Sequence, residues 1–470
     1  MPSFFADRPL WEALAILAFT ALVMGGVASL AFRTSARLLA VCAFALALVQ
    51  GFVPYSYTSW FLLFVLSISP AVLWRSRADK GSRWYLGALV ALGVAQVVAL
   101  LWSPVAGAAI NAIACTISVL TTFLLWRLVA AERAVEFVLK WNAPIALAFA
   151  VLVVFFRMVP DREWEYLHLP IARFFTDPGV ELIPTGRYPN VIDPAKAGGI
   201  ALNGNIASLV LVLLVIVYLI AALGPVTPRI RALFAATAAV AAVGVACTGS
   251  KTPLLLVVVL PVVALVALLL VRSPMMGTAL GVVVAIVGSV AAWLVARYLP
   301  VLWVQLTDTY SQRIDYWRLA LSQFPMSWTG GLGYGGWEPL LLMHWKEMYG
   351  DAPFQGYAVH NFVIQAWVDG GIAVVTTTVA IVAIALTASL QRIYRERELA
   401  LLDRRTMSSA LALVGVVWVT VHGMGDTTSF YGDYRTIVLY SFLVAYVTAR
   451  PNDVDVALEA APSEQAIVAR

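Results

Sequence analysis

Charge is scarce in this chain. Asp, Glu, Lys and Arg supply 12% of its 470 residues, where ordinary soluble domains carry about 25%. Hydrophobic residues supply 61% and the mean hydropathy is +0.87, which excludes a soluble enzyme and a disordered scaffold alike. Cysteine is almost as rare. Cys42, Cys115 and Cys247 lie inside apolar segments, so they act as small core hydrophobes and offer neither a disulfide framework nor zinc spacing. Residues 1–32 lack a basic n-region and a small-residue cleavage site, so the first apolar stretch is expected to be a retained helix. An internal repeat and a soluble catalytic domain are also missing.

The long apolar runs predict an all-α polytopic membrane protein. Spans of about 17 to 25 apolar residues fall at 12–32, 38–53, 59–74, 84–102, 106–126, 142–159, 204–223, 232–247, 254–271, 276–297, 361–388, 407–424 and 435–449. Several are short, so about 12 or 13 transmembrane helices are expected. Arg33, Arg37, Arg75, Arg77, Lys80, Arg83, Arg127, Arg133, Lys140, Arg229, Arg231, Arg272, Arg392, Arg395, Arg397, Arg404 and Arg405 all fall on one side of successive spans. By the positive-inside rule that side is cytoplasmic. The N-terminus and two long loops, about 160–203 and 298–360, then face outward, and the net charge of +5 reports topology rather than nucleic-acid binding. Residues 1–450 are expected to form one membrane domain, and the polar tail 451–470 a disordered cytoplasmic end. Arg127 to Lys140 is short, charged and partly amphipathic, which suits the inner interface.

The second outer loop concentrates the informative residues. It runs from a helix start at Asp308-Thr309-Tyr310-Ser311 through Arg313 and Trp317, four apart and so on one helix face. It continues through the glycine-rich run Gly330 to Gly336, with Tyr334 inside it and Trp337 just after, to Tyr357-Ala358-Val359-His360-Asn361-Phe362. Its many aromatic residues argue against disorder and for an ordered helical cap. All four histidines, His168, His344, His360 and His422, map to the outer half, but only His360 sits where the long loop meets a helix. Two roles fit it: a neutral imidazole that takes a proton from a sugar hydroxyl, or an interfacial ring that hydrogen-bonds a carbonyl. Asn361 beside it can fix the helix end. The outer cations Arg187, Lys251, Arg313, Arg318 and Arg435 run against the positive-inside trend. They suit either a diphosphate, which guanidinium forks pair with bidentately, or ion pairs with acids such as Asp315 and Asp433. Trp317 and Trp337 are candidates for stacking on sugar faces, with belt residues at the membrane edge as the alternative.

Other chemistries are excluded by spacing. Thr248-Gly249-Ser250-Lys251-Thr252 lacks the Gly-Lys-Ser/Thr order of a phosphate-binding loop, so no nucleotide partner is expected. The glycines at 330–336 follow no strand, so they form no dinucleotide fingerprint. They suit close backbone approach to a substrate or lipid. Asp453-Val454-Asp455 lies in the tail, and no carboxylates and histidines gather with ligand spacing, so no metal and no other cofactor is expected.

The order of these pieces is distinctive. A basic residue after a Ser in a short outer loop comes first, then an outer-loop Arg followed four residues later by Trp, then Gly-x-Gly. His-Asn then opens a helix that reaches Asp369-Gly370-Gly371, and Val421-His422-Gly423 with Asp426 follows. This pattern, over roughly residues 180–430, resembles the bacterial O-antigen ligase and O-antigen polymerase superfamily. The resemblance implies an inverting, metal-independent membrane glycosyltransferase of the inner membrane. It would take a glycan from undecaprenyl diphosphate at the periplasmic face. By that resemblance His360 is the base on the acceptor hydroxyl and Arg313 holds the diphosphate. Arg187 and Lys251 assist in diphosphate binding, and Trp317, Trp337, Asn361 and Tyr334 are possible sugar or acceptor contacts. Lys251 stands where the family has Arg, keeping the charge and losing the fork. The leading expectation is a ligase that transfers glycan to lipid A-core oligosaccharide in the membrane. The alternatives are a polymerase joining glycan to another lipid-linked repeat and, more distantly, a polysaccharide or lipid transporter.

Overall fold

A computed structural model describes residues 10–49, 59–76, 81–172, 195–201, 203–352, 354, 357–426, 430 and 433–449. Arg187, the middle of the first outer loop and the tail 451–470 lie outside the described residues. What is described is helical, without a strand. In chain order the helices are α1 (Leu10–Ala31), α2 (Ala36–Val49), α3 (Trp60–Arg75), α4 (Arg83–Ala99), α5 (Ala106–Ala131), α6 (Val135–Met158) and α7 (Pro160–His168). A 3-10 turn (Gly199–Ala201) precedes α8 (Gly204–Leu223), α9 (Pro228–Cys247), α10 (Lys251–Arg272) and α11 (Pro274–Tyr298). Then come α12 (Pro300–Ser322), α13 (Phe324–Ser327), α14 (Trp337–Tyr349), α15 (Phe362–Arg395), α16 (Arg404–Gly425) and α17 (Tyr434–Thr448).

Seven of these, α5, α6, α8, α9, α11, α15 and α16, are long and apolar enough to cross a membrane. Six shorter apolar stretches, of 10–17 residues, supply the rest of the hydropathy pattern. The protein is therefore a multi-pass membrane protein. One local expectation needs correction. The cap helix starts at Pro300 rather than near Asp308, because proline at the first helical position has the right φ and no N–H to waste. Residues 127–140 are divided between two helices. There α5 ends at Ala131 and α6 begins at Val135, with Arg133 turning the corner at φ 54°. The first outer loop also carries order at its start, in α7, where a proline again stands in the first turn.

The chain divides into two compact units. The first comprises residues 1–83, 117–249 and 433–470. In it α8 packs on α9 and α17, and α6 on α2 and α9. Buried hydroxyls knit it together: Ser69 to Thr121 at 2.7 Å and Thr122 to Ser441 at 2.9 Å. On one side of this unit Arg75 donates to Thr34 O at 2.5 Å and Ala31 O at 2.8 Å, while Glu132 accepts from the amides of Ala36 and Arg37. Charged loops thus satisfy the helix ends that have run out of intrahelical partners. At other loops of the unit, Glu163 of α7 accepts from the amides of Gly198 and Gly199, both at 2.9 Å. Burial pushes the Glu163 carboxyl above the usual range, against the pull of those two amides.

The second unit comprises residues 84–116 and 250–432. Here α15 packs on α16, α10 bridges both, and α12 touches α11, α14 and α15. Arg272 reaches Ala400 O and Thr406, and buried Arg392 contacts Ser409 at 3.1 Å and Glu396 at 3.4 Å. The basic loops of this unit therefore also gather together.

Candidate active site

The second unit holds the cap, and the cap is built by tryptophan. Trp317 of α12 donates its indole N–H to Val359 O at 3.0 Å, Trp337 of α14 to Tyr357 O at 2.7 Å, and Trp345 to Ala352 O at 2.7 Å. Each large ring enters the apolar core with Tyr316, Leu341 and Val368 while its one polar atom finds a carbonyl. The segment leading to His360 is therefore held by three indoles in succession. Trp337 and Tyr334, both read as possible sugar contacts, are buried within the protein. Trp317 is partly buried against the same core.

The glycine run does its work against backbone. Within α15 the helix breaks at Gly370 and Gly371, the latter at φ 68°. Leu332 N donates to Val368 O at 2.7 Å, and Ile372 N to Thr329 O at 3.2 Å. The loop thus pairs with the groups that the break leaves without helical partners. Gly331 and Gly371 make the crossing possible. A Cβ at Gly371 would stand 1.9 Å from Thr329 O, and one at Gly331 2.2 Å from Trp367 O. Gly331 approaches the broken helix, while Gly330, Gly333 and Gly335 approach residues 102–105.

His360 sits at the end of the pinned segment in left-handed backbone, φ 56°, which a side chain other than Gly adopts at a cost. Its Nδ1 lies 3.7 Å from Oδ1 of Asp426, with side-chain exposures of 24% and 13%, so both remain reachable from outside the core. The imidazole is flanked by Tyr316, at 6.3 Å between ring centres, and Tyr357, at 6.1 Å. Burial, with Tyr349 next to it, pushes the Tyr316 hydroxyl far above its usual range, and burial raises that of Tyr357, so both rings stay neutral. Asn361 caps α15: its Oδ1 accepts from Val363 N at 3.0 Å and Ile364 N at 3.1 Å, which commits that side chain to the helix end.

Asp426 is the residue that ends α16. Its neighbour Gly425 is where Arg313 arrives, since a methyl group there would lie 3.1 Å from Nη1 of the guanidinium. An imidazole, a carboxylate and a guanidinium thus converge from the loop before α15, the end of α16 and α12. The sequence names Asp426 only within the late-helix pattern and assigns it no role. It is 66 positions from His360 in the chain, which no periodicity connects.

The other histidines and outer cations are placed as follows. His168 and His344 direct Nδ1 at carbonyls of their own helices, Trp164 O at 2.8 Å and Leu340 O at 3.1 Å. His422 is buried beside Trp418 in α16. Arg318 pairs with Asp315 at 3.4 Å on the surface. In the first unit, buried Arg435 pairs with Asp433 at 3.1 Å and donates to Ile200 O at 3.0 Å. Lys251 opens α10 with an exposed side chain.

Residues 236–379 match the family model for O-antigen ligase. That stretch is an O-antigen ligase domain. The chain is accordingly a membrane enzyme of the O-antigen ligase/polymerase type. No curated protein matches the chain. The ligase domain runs from α9 into α15 and takes in Lys251, Arg313, Trp317, Tyr334, Trp337, His360 and Asn361. Asp426 lies beyond its end, although it faces His360, and Arg187 lies before its start.

Proposed function

We propose that the protein transfers a glycan from undecaprenyl diphosphate to lipid A-core oligosaccharide at the periplasmic face of the bacterial inner membrane. The observation that carries this reading is the convergence of Arg313, His360 and Asp426 at one end of the second unit. Asp426, 3.7 Å from Nδ1, is placed to balance the charge of the imidazole as it gains a proton, leaving Nε2 to take that proton from the acceptor hydroxyl. The acceptor oxygen then bonds to the anomeric carbon as the bond from that carbon to the diphosphate oxygen breaks, with inversion. Arg313 neutralises the charge that develops on the leaving undecaprenyl diphosphate. Arg187 and Lys251 are assigned to hold the same diphosphate. The base delivers its proton to water after release.

The proposed step needs no divalent ion, because guanidinium supplies the charge that a metal would supply. Transfer by purified protein is expected to continue in EDTA; inhibition by EDTA that Mg²⁺ or Mn²⁺ reverses would reject the cationic clamp. The acceptor is tested genetically. Deletion is expected to leave lipopolysaccharide without any ladder while glycan accumulates on undecaprenyl diphosphate. Core bearing a single repeat would instead assign the polymerase reaction.

A further inference from the structure

We infer that Gln365 is a positioning residue for His360, and that Asp369 sets its orientation; this rests on the reading of His360 as the base. Gln365 and Asp369 are four apart in the short piece of α15 before the break, and so share a face. The Gln365 Nε2 donates to Asp369 Oδ1 at 2.8 Å. An amide whose nitrogen is engaged there presents its oxygen on the opposite side. That oxygen accepts from Val359 N at 3.4 Å. Val359 O is taken by Trp317 at 3.0 Å. Both peptide groups around the Val359 α-carbon are thereby fixed, from α15 on one side and α12 on the other, directly before the left-handed residue.

That placement explains how His360 keeps a backbone conformation that most residues avoid. Outliers of this kind persist where their surroundings over-determine them. Here the over-determination consists of the Val359 contacts before His360 and the Asn361 cap after it. The ring needs such control, because its buried Nδ1 has no hydrogen-bond partner among the described residues and stands 3.7 Å from Asp426. A small backbone rotation at residue 360 carries it out of reach of that carboxylate. An amide turned the other way would set donor against donor at Val359, so Asp369 acts on the base through Gln365.

The test is Gln365→Met, which matches volume and removes both polar ends. Turnover is read as release of undecaprenyl diphosphate from an undecaprenyl-diphosphate-linked glycan, with lipid A-core as acceptor, in reconstituted membranes. The kcat should fall about 10- to 100-fold, the scale set by misplacing a catalytic group by about 1 Å, with donor KM unchanged. In a His360→Ala background the same change should cost nothing more. Wild-type kcat, a loss confined to donor KM, or a further loss on top of His360→Ala would each overturn the inference. If Gln365→Met does not accumulate in membranes, Gln365→Glu replaces it, losing the donor to Asp369 and keeping the length; its kcat should fall in the same way, and unchanged kcat would refute the role. An active His360→Ala enzyme would instead refute the base assignment itself, which separates the two failures.

Discussion

His360→Ala removes the imidazole that faces Asp426 and leaves the indole contacts to Val359 and Tyr357 in place. The expected loss in transfer is about 10²- to 10⁴-fold, typical of deleting a general base, at unchanged membrane level. Asp426→Asn should lower kcat by less, because the imidazole survives and only its orientation and charge partner weaken. Near-normal transfer by His360→Ala would give the ring a structural role. Arg313 is distinguished from Lys251 by geometry as well as charge. Arg313→Lys should be almost as damaging as Arg313→Ala, since an ammonium cannot reproduce a planar fork. Lys251→Arg should be tolerated, and Lys251→Ala should raise the donor KM. Rates against donor concentration for the four variants decide this; full activity in Arg313→Lys would show that charge alone suffices.

At the scale of elements, the break in α15 and the glycine run form one device, and its tolerance to substitution should be very uneven. Gly371→Ala places a methyl where Thr329 O already stands and demands φ 68° of a side chain, which by itself costs about 1–2 kcal/mol. It should abolish accumulation or sharply lower the melting temperature. Gly288→Ala, on α11 with nothing within 4 Å of the new carbon, should change stability by no more than about 0.5 kcal/mol. Equal melting temperatures for the two variants would mean that the crossing at Thr329 is not what holds the cap. These elements were legible to different degrees. The spacing of Arg313 and Trp317 and the Asn361 cap are local, and a sequence displays them. The glycines displayed only that something must come close, and the partners are the backbone of the α15 break for Gly331 and residues 102–105 for Gly330, Gly333 and Gly335. Trp337 and Tyr334 show the same limit: aromatic character was visible, but burial depends on how α14 docks.

At the scale of the whole molecule, the positive-inside pattern makes a prediction about compartments. With Cys42, Cys115 and Cys247 replaced by Ser, a single cysteine at Asp351 should react with a membrane-impermeant maleimide in cells whose outer membrane has been permeabilised. One at Arg229 should react only after lysis. The reverse pattern would invert the topology and move the proposed site to the cytoplasm. Charge counting sufficed to expect this sidedness, because it needs no tertiary contact. The division into two units did not show in the sequence, since each is assembled from separated stretches of chain.

The first unit is completed by its last helix. Arg435 of α17 takes Ile200 O, Val438 O receives the indole N–H of Trp126, and Ser441 meets Thr122. A chain emerging from the ribosome inserts every other helix of that unit before α17 exists. Until then Trp126 and Thr122 lack these partners, and the unit stays incomplete through the synthesis of the ligase domain. Completion of the first unit therefore follows synthesis of the ligase domain. A nascent chain stopped before α17 should be recognised and degraded by membrane quality control, even though residues 236–379 are complete within it.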